Sequence, residues 1–383
     1  MRRHYTCIHQ LFTPMATRLH LFILAFIAFS VNGICNAQSV AKTDTLTAIQ
    51  LKPYGRYMYN QQHNLELISS AVHFGVSFTG EECAVYVSLA DTNAHNYLQY
   101  ELDGVYQKKL RFNGNSKAPI VISATPGKHT IWFYKATEAH TGAIIIEKVA
   151  ANKVTPLSVQ KLPLIEFIGN SITCGAAADA SEVPCSTGSY HDQHNAYMAY
   201  GPRVARALKA NFVLSSVSGI GIYRTWNMDS PSMPQVYENV DFQVAQQQKW
   251  DFNTYSPKIV SIALGTNDIS RGDGVHARKP FDTAVYEAHF VKFIQLVKTK
   301  YPKAQIALLS SPMVKGESGK ILENCLRSIK TKIDALYPKD KPVATFFFPP
   351  MDSHGCSGHP SVEDHAILAE QLNPFFKKLL KDQ

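Results

Sequence analysis

Hydrophobic and polar residues follow two different patterns along this chain. Between residues 51 and 150, short stretches rich in Val, Ile, Tyr and Phe alternate with turns marked by Gly, Asp and Pro, as in 71–80, 96–104 and 128–137. Branched and aromatic side chains favour strands, and many short strands at regular spacing are typical of a β-sandwich. The pattern therefore predicts an all-β sandwich over residues 45–152.

The pattern of apolar and polar residues changes after a linker at residues 152–163. Apolar runs are now separated by longer amphipathic stretches, which is the pattern of parallel strands joined by crossover helices. The predicted strands are 164–169, 211–218, 258–265, 305–311 and 343–348, and the predicted helices are 196–210, 281–301, 320–337 and 361–381. Residues 160–383 are therefore expected to form an α/β domain with a parallel sheet and flanking helices.

Small or polar residues stand where four of these strands end. They are Ser171, Gly219 and Gly221, Asn267 and Asp268, and His359. In open α/β sheets, ligands bind outside the carboxyl ends of the strands, so we expect these residues to meet in one site. A serine needs a base to take its proton, and histidine is the usual base. Because a glycine-turn N–H and an Asn amide can stabilise an oxyanion, the set predicts an acyl-transfer site.

The order of these motifs resembles that of the SGNH (GDSL-type) hydrolases. GNSIT, SGIGIYR, GTND and GHPS stand in the places of the first, second, third and fifth blocks of that superfamily. The resemblance implies a flavodoxin-like α/β fold. A jelly-roll-like sandwich ahead of such a domain, together with SITCG and GIGIYR, is most similar to carbohydrate esterase family 2, whose members remove acetyl groups from plant polysaccharides.

The resemblance assigns a role to each motif residue. It implies that Ser171 is the nucleophile and that His359 is the base, which later protonates the leaving sugar hydroxyl. The backbone N–H groups of Ser171 and Gly219 and the side-chain amide of Asn267 are expected to form the oxyanion hole. We favour Gly219 over Gly221 because it ends its strand first.

Two positions depart from the superfamily's pattern. Asn170 stands where Asp is usual, and an Asn can keep the hydrogen bonds of that turn. The Asp that often precedes the catalytic His by two or three residues is replaced by Ser357 and Cys356. Asp352 is the candidate for orienting His359. The alternative is a backbone carbonyl on the imidazole Nδ1, which gives a Ser-His dyad. His354 and His365 are the rival bases.

Other side chains near the motifs have weaker signals. Asp268 is expected to make structural hydrogen bonds. Tyr223, Arg224 and Trp226 follow the Gly219 turn and are candidates for sugar binding, because aromatic faces stack on sugar rings; ordinary packing is the alternative.

We expect neither a cofactor nor a metal. His191 and His194 in the segment YHDQH, with Cys185 and Cys356, suggest zinc, but the histidines lack the partner pair of a zinc motif. We expect this segment to be a surface loop. Among the cysteines, Cys174 and Cys185 are the predicted disulfide, because they close a short loop beside the nucleophile.

The first 37 residues predict a secretion signal, with arginines followed by an apolar core and a small-residue cleavage site. Met15 is an alternative start, and lipid anchoring at Cys35 is a minor alternative. The signal holds three arginines and no carboxylate, so removing it lowers the net charge of +8 to +5. This modest charge argues against a nucleic-acid partner, and no later stretch is long and apolar enough to span a membrane.

Together these features predict a secreted or periplasmic, monomeric esterase. Its expected partner is an acetylated polysaccharide such as xylan or glucomannan, hydrolysed through an acetyl-serine intermediate. Two alternatives stay open: an esterase for lipid or peptidoglycan acetyl groups, and a glycan-binding protein whose catalytic site has decayed.

Overall fold

A computed structural model describes residues 43–245 and 248–382. The predicted secretion signal and both candidate start sites lie outside the described residues. The residues from Asp44 onward form two antiparallel sheets followed by one parallel sheet, and they belong to one compact unit.

The two antiparallel sheets face each other and form the β-sandwich. The first sheet has the spatial order β2 (Tyr57–Tyr59), β3 (Leu65–Leu67), β10 (Ile144–Ala151), β5 (Glu82–Ser88) and β8 (Ile120–Ser123), and β1 (Asp44–Thr47) pairs with β10. The second sheet has the order β11 (Thr155–Leu157), β4 (His73–Thr79), β9 (Lys128–Lys135), β6 (His95–Leu102) and β7 (Val105–Asn113). The predicted sandwich is thus confirmed.

The alternation of side chains explains why these segments form a sandwich. Along β5, Cys83, Val85 and Val87 are buried, while the residues between them are partly exposed. Successive side chains of a strand point to opposite faces, so such a strand buries one face against the other sheet. Phe74 and Phe133 from the second sheet fill the shared core.

The parallel sheet has the spatial order expected for a flavodoxin-like fold. Its strands are β13 (Asn211–Ser216), β12 (Leu164–Gly169), β14 (Ile259–Ala263), β15 (Gln305–Leu309) and β16 (Ala344–Phe346). Its helices are α1 (Ser171–Cys174), α2 (Tyr200–Ala207), α3 (Met233–Val236), α4 (Thr283–Lys300), α5 (Gly316–Leu336) and α6 (Val362–Lys381). Across the sheet, the strands stand in the order second, first, third, fourth and fifth of their sequence. The order reverses beside β12, and this reversal leaves a crevice at the carboxyl end of that strand.

Helices cover both faces of the parallel sheet. Apolar residues of α4 and α5 pack on one face, and those of α2 and α6 pack on the other. All six residues of β12 are therefore buried, which explains its continuous apolar run. Among the described helices, none combines the length and the apolar character needed to cross a membrane.

The β-sandwich and the α/β half share polar contacts. The Ala196 N–H donates to the Ala136 carbonyl at 3.0 Å, and the Tyr197 hydroxyl donates to Glu101 at 2.9 Å. The first contact joins the loop after β9 to the segment before α2, and the second joins β6 to the same segment.

Candidate active site

Ser171 lies on a tight turn at the carboxyl end of β12. The strand ends at Gly169, where a Cβ atom would lie 2.0 Å from the Thr173 hydroxyl, so a side chain is excluded. The side-chain oxygen of Asn170 accepts the Ile172 N–H at 3.1 Å and caps α1. Asn170 therefore provides the cap of this turn, although the superfamily usually has Asp there.

His359 lies in a loop that a disulfide ties to a second loop. The disulfide joins Cys185 and Cys356, so the predicted pairing of Cys174 with Cys185 is wrong. Cys174 instead projects into the interior, where its Sγ lies 3.2 Å from the Ser216 hydroxyl. The loop is closed further by the His359 N–H, which donates to the Cys356 carbonyl at 3.0 Å.

The structure brings the two proposed reacting groups into contact. The Ser171 Oγ and the His359 Nε2 are 2.9 Å apart, within the range of an O–H···N hydrogen bond. The His359 Nδ1 lies 3.2 Å from the Ser357 carbonyl. A carbonyl only accepts, so Nδ1 carries the proton and Nε2 is free to accept the serine proton. Burial lowers the pKa of His359, which favours the neutral base.

Asp352 does not orient this imidazole. Its side chain is 89 % exposed and forms an ion pair with Lys315, whereas the Ser357 carbonyl is the partner of Nδ1. The expectation for Asp352 is therefore corrected in favour of the backbone-carbonyl alternative. Sequence reasoning did not find Ser357, because any residue type can offer a backbone carbonyl.

Neither rival histidine occupies the site. His354 pairs with Asp364 at 2.9 Å, and its side chain is 71 % exposed. His365 is fully buried in α6, where its Nδ1 accepts the Tyr200 N–H at 3.3 Å.

Gly219 and Asn267 line the same cleft as Ser171 and His359. The cleft has a volume of about 770 Å³ and is open to solvent. Gly219 has a φ of +77°, a conformation that favours glycine, and a Cβ there would lie 2.9 Å from the Trp226 ring. The Asn267 amide donates one hydrogen to the Ile220 carbonyl at 2.7 Å, which fixes its orientation and leaves a second hydrogen.

Asp268 has the structural role expected from the sequence. Its carboxylate accepts the Ile222 and Tyr223 N–H groups at 2.9 Å each. Burial raises the pKa of Asp268 to about 6, against the lowering effect of these bonds. Gly221 faces this carboxylate rather than the cleft, because a Cβ there would lie 2.4 Å from Asp268 Oδ2.

Only one of the three predicted sugar-binding residues lines the cleft. Trp226 lies beside Gly219 and is 41 % exposed. Arg224 is 2 % exposed, and its guanidinium donates to the carbonyls of Asp268 and Lys279. Tyr223 packs against Phe281. Tyr223 and Arg224 instead line a second open pocket of about 830 Å³, so the structure does not bring them to the cleft of Ser171.

The segment YHDQH is partly buried, and it is not the surface loop expected. His194 is fully buried, and Asp192 is 5 % exposed. Ligand atoms of His95, His191 and Asp192 lie within 4.8 Å of one another, which is an arrangement that can hold a metal ion. They already form hydrogen bonds, with His95 Nε2 2.5 Å from Asp192 Oδ1 and the Tyr97 hydroxyl donating to the same oxygen at 3.0 Å. The cysteines of the zinc hypothesis form the disulfide.

Sequence reasoning missed two further groups that lie at the site. The Tyr190 hydroxyl lies 3.5 Å from His359 Nε2. Glu138, from the loop after β9, accepts the Ser218 N–H at 2.6 Å, directly before Gly219. Nothing in the local sequence of the sandwich marks Glu138, because its partners lie in the other half of the chain.

Two family models match the chain side by side. Residues 54–158 match the carbohydrate esterase 2 N-terminal family, and residues 167–340 match the GDSL-like lipase/acylhydrolase family. The two matches cover the β-sandwich and most of the α/β half.

Known proteins resemble the chain across both parts. A protein of Cellvibrio japonicus named acetylxylan esterase / glucomannan deacetylase is 29 % identical over 328 residues, which are 80 % of this chain and 87 % of that protein. A family two carbohydrate esterase from Clostridium thermocellum, solved in complex with cellohexaose, has a TM-score of 0.74 and 24 % identity, and the match covers 88 % of this chain and 99 % of that one. The structure of a family two carbohydrate esterase from Cellvibrio japonicus has a TM-score of 0.76 and 21 % identity, with 89 % and 98 % covered.

The fold, the order of the motifs and these matches agree. The chain thus combines a carbohydrate esterase 2 N-terminal domain at residues 54–158 with a GDSL-like lipase/acylhydrolase domain at residues 167–340.

Proposed function

We propose that the protein is a carbohydrate O-acetyl esterase that removes acetyl groups from plant cell-wall polysaccharides such as xylan or glucomannan. The observation that carries this proposal is the 2.9 Å contact between Ser171 Oγ and His359 Nε2 in a cleft that Gly219 and Asn267 also line. The name of the Cellvibrio relative and the cellohexaose in the Clostridium structure support a carbohydrate ester.

The first half of the reaction transfers the acetyl group to the enzyme. His359 Nε2 takes the Ser171 hydroxyl proton while Oγ attacks the acetyl carbonyl. The carbonyl oxygen becomes negative and is stabilised by the N–H groups of Ser171 and Gly219 and by the Asn267 amide. The imidazolium then gives its proton to the sugar oxygen, the ester bond breaks, and the deacetylated sugar leaves.

The second half releases acetate. His359 accepts a proton from water, and the resulting hydroxide adds to the acetyl carbonyl in the same oxyanion hole. When the tetrahedral intermediate collapses, the imidazolium returns the proton to Ser171 Oγ. One ester bond and one water molecule yield one hydroxyl, one acetate and one proton, without a metal or cofactor in either half.

The cleft fits a polymer better than a small ester alone. It is open, and the 41 % exposed ring of Trp226 forms its wall beside Gly219. Aromatic faces of this kind stack on sugar rings. Export, predicted from the first 37 residues, agrees with a substrate that is too large to enter a cell.

Acetate release by the full mature chain tests this function. We expect hydrolysis of 4-nitrophenyl acetate and of acetylated xylan or glucomannan, and a loss of about 1,000-fold or more in kcat for Ser171→Ala. Ser318→Ala is the matched control, because this exposed serine lines the same cleft without contacting His359.

Turnover retained in Ser171→Ala would refute the nucleophile. Glycan binding without acetate release would favour the decayed site, and faster cleavage of long-chain esters would favour a lipid substrate.

A further inference from the structure

A carboxylate of the β-sandwich lies buried behind the predicted oxyanion turn. Glu138, in the loop after β9, is 3 % exposed. Its Oε2 accepts the Ser218 N–H at 2.6 Å, and the Cys174 Sγ lies 3.6 Å from the same oxygen. Ser218 directly precedes Gly219, and Cys174 ends the helix that Ser171 begins. One side chain of the sandwich thus contacts both segments that flank the oxyanion site.

The second carboxylate oxygen of Glu138 contacts His194, which lies beside the proposed base His359. His194 Nδ1 accepts the Ala177 N–H at 3.4 Å, so its proton lies on Nε2, which donates to Glu138 Oε1 at 3.4 Å. The His194 ring packs edge-on against Tyr190 at 4.8 Å. Tyr190 in turn reaches His359, with its hydroxyl 3.5 Å from Nε2.

The loop that carries Glu138 is itself held in place. The Thr141 hydroxyl donates to the Glu138 carbonyl at 2.7 Å, and the Lys135 ammonium donates to the same carbonyl. Burial raises the pKa of Glu138, but the bonds from His194 and Ser218 outweigh it and lower that pKa to about 2. A buried charge is tolerated when it is hydrogen-bonded in this way.

We propose that Glu138 is a positioning residue for the esterase: it holds the Ser218 N–H and the His194 ring, and so fixes the Gly219 N–H in the oxyanion hole. The inference rests on the function proposed above. Gly219 has no side chain with which to anchor itself, and oxyanion donors act only when their direction is fixed before the reaction. The sandwich is then part of the catalytic machinery and more than a neighbouring binding module.

The chemistry of the two contacts explains why a carboxylate is needed. The Ser218 N–H and the His194 Nε2–H are both donors on different oxygens of Glu138, so both of these oxygens must accept. A glutamine keeps the shape but presents an NH₂ group to one of the two donors, which breaks either the Ser218 or the His194 contact. Glu138→Gln is therefore the sharpest variant, because it disturbs the turn with little change in volume.

Steady-state kinetics and an inhibition constant distinguish a positioning role of Glu138 from a role in stability alone. We expect Glu138→Gln to lower kcat on 4-nitrophenyl acetate about 10- to 100-fold, with KM changed less than about twofold. Methylboronic acid adds to a serine as a tetrahedral anion, so its inhibition constant should rise by a similar factor. The value of kcat is taken per active site, counted by titration with a serine-reactive fluorophosphonate. Glu138→Ala is expected to lose more, and Glu138→Gln carries the comparison if the alanine variant does not fold.

Glu101→Gln is the matched control. This sandwich carboxylate also reaches the α/β half, where it accepts the Tyr197 hydroxyl at 2.9 Å, away from the Gly219 turn. We expect its kcat and boronate inhibition to match the wild type. The inference is overturned if Glu138→Gln keeps kcat within about twofold, if its loss disappears after correction for active sites, or if Glu101→Gln loses as much. A wild-type protein that releases no acetate would overturn the proposed function as well.

Discussion

At the level of single residues, the proposed base His359 has a backbone carbonyl and not a carboxylate as the partner of its Nδ1. The Ser357 carbonyl fixes the tautomer, and the disulfide at Cys356 holds the loop that offers this carbonyl. A carbonyl orients the ring but brings no full negative charge, so it stabilises the imidazolium less than a carboxylate does. The neutral base is favoured as a result, and its pKa falls as the ring is buried.

This environment sets the acid limit of the reaction. In the proposed mechanism the neutral form of His359 is the active form, and burial lowers its pKa from the ordinary 6.5. Activity is then present above the lowered pKa and lost as the pH falls through it. We expect the acid inflection of kcat/KM, measured with 4-nitrophenyl acetate, to lie below pH 6.5. An inflection above 6.5 would show that a carboxylate stabilises the imidazolium after all.

Asp352 provides the complementary test. Because its exposed side chain pairs with Lys315 and not with His359, we expect Asp352→Asn to change kcat less than about threefold. Loss of the acid of a true triad lowers kcat about 10,000-fold, so the two outcomes are far apart. Lys315→Gln is the control, since it breaks the same pair from the other side and should behave alike. A loss of orders of magnitude in Asp352→Asn alone would restore the triad.

At the level of elements, the strands and helices of the parallel sheet could be predicted because burial on both faces leaves long apolar runs. The run at 164–169 matches β12 residue for residue. The three-residue strands β2 and β3 were not predicted, because a strand that short has no pattern of its own. β11 lies in the segment expected to be a linker, and its pairing with β4 is a long-range contact.

Contacts between distant segments explain the other errors. Cys174 and Cys185 are close in sequence, but Cys174 points into the interior and Cys185 meets Cys356 across 171 residues. His194 is buried partly because the sandwich covers it, as its contact with Glu138 shows. Ser171, Gly219, Asn267 and His359 could be placed together, because strand ends of one parallel sheet meet at one edge.

The disulfide between Cys185 and Cys356 joins a second loop to the loop that carries the proposed base. We expect reduction of the wild type to lower the free energy of unfolding by about 2–5 kcal/mol and to lower kcat, because the loop of His359 loses its anchor. The double variant Cys185→Ser/Cys356→Ser should show the same losses and no further response to reductant. It keeps the three cysteines that are free and buried in the described part of the chain, so it controls for their chemistry. Full kcat in the reduced protein would contradict a role for this bond in holding the base.

At the level of the whole molecule, a buried ion pair joins the β-sandwich to the parallel sheet. Arg56 lies between β1 and β2 and is fully buried, and its guanidinium lies 3.7 Å from Glu166 in β12. It donates to the carbonyls of Tyr237 and Asn239 at 2.7 and 3.0 Å and stacks 4.2 Å over the Phe242 ring. The cation belongs to the sandwich and the anion to the parallel sheet. Separating the two halves therefore exposes these buried ions to water or leaves one of them buried without its partner.

We therefore expect the two halves to unfold in one cooperative transition, and Arg56→Met to weaken them together. Removing the cation leaves Glu166 buried, with hydroxyl groups such as those of Ser215 and Tyr237 as its partners. Breaking one side of such a pair destabilises a protein by about 3–5 kcal/mol. Adding Glu166→Gln should recover part of this loss, because the stranded charge is gone. Exposed Lys128→Met is the control for loss of a cation and should leave the calorimetric transition in place. Two separate transitions in the wild type would mean that the sandwich and the parallel sheet are independent, and that the pair between them stabilises neither.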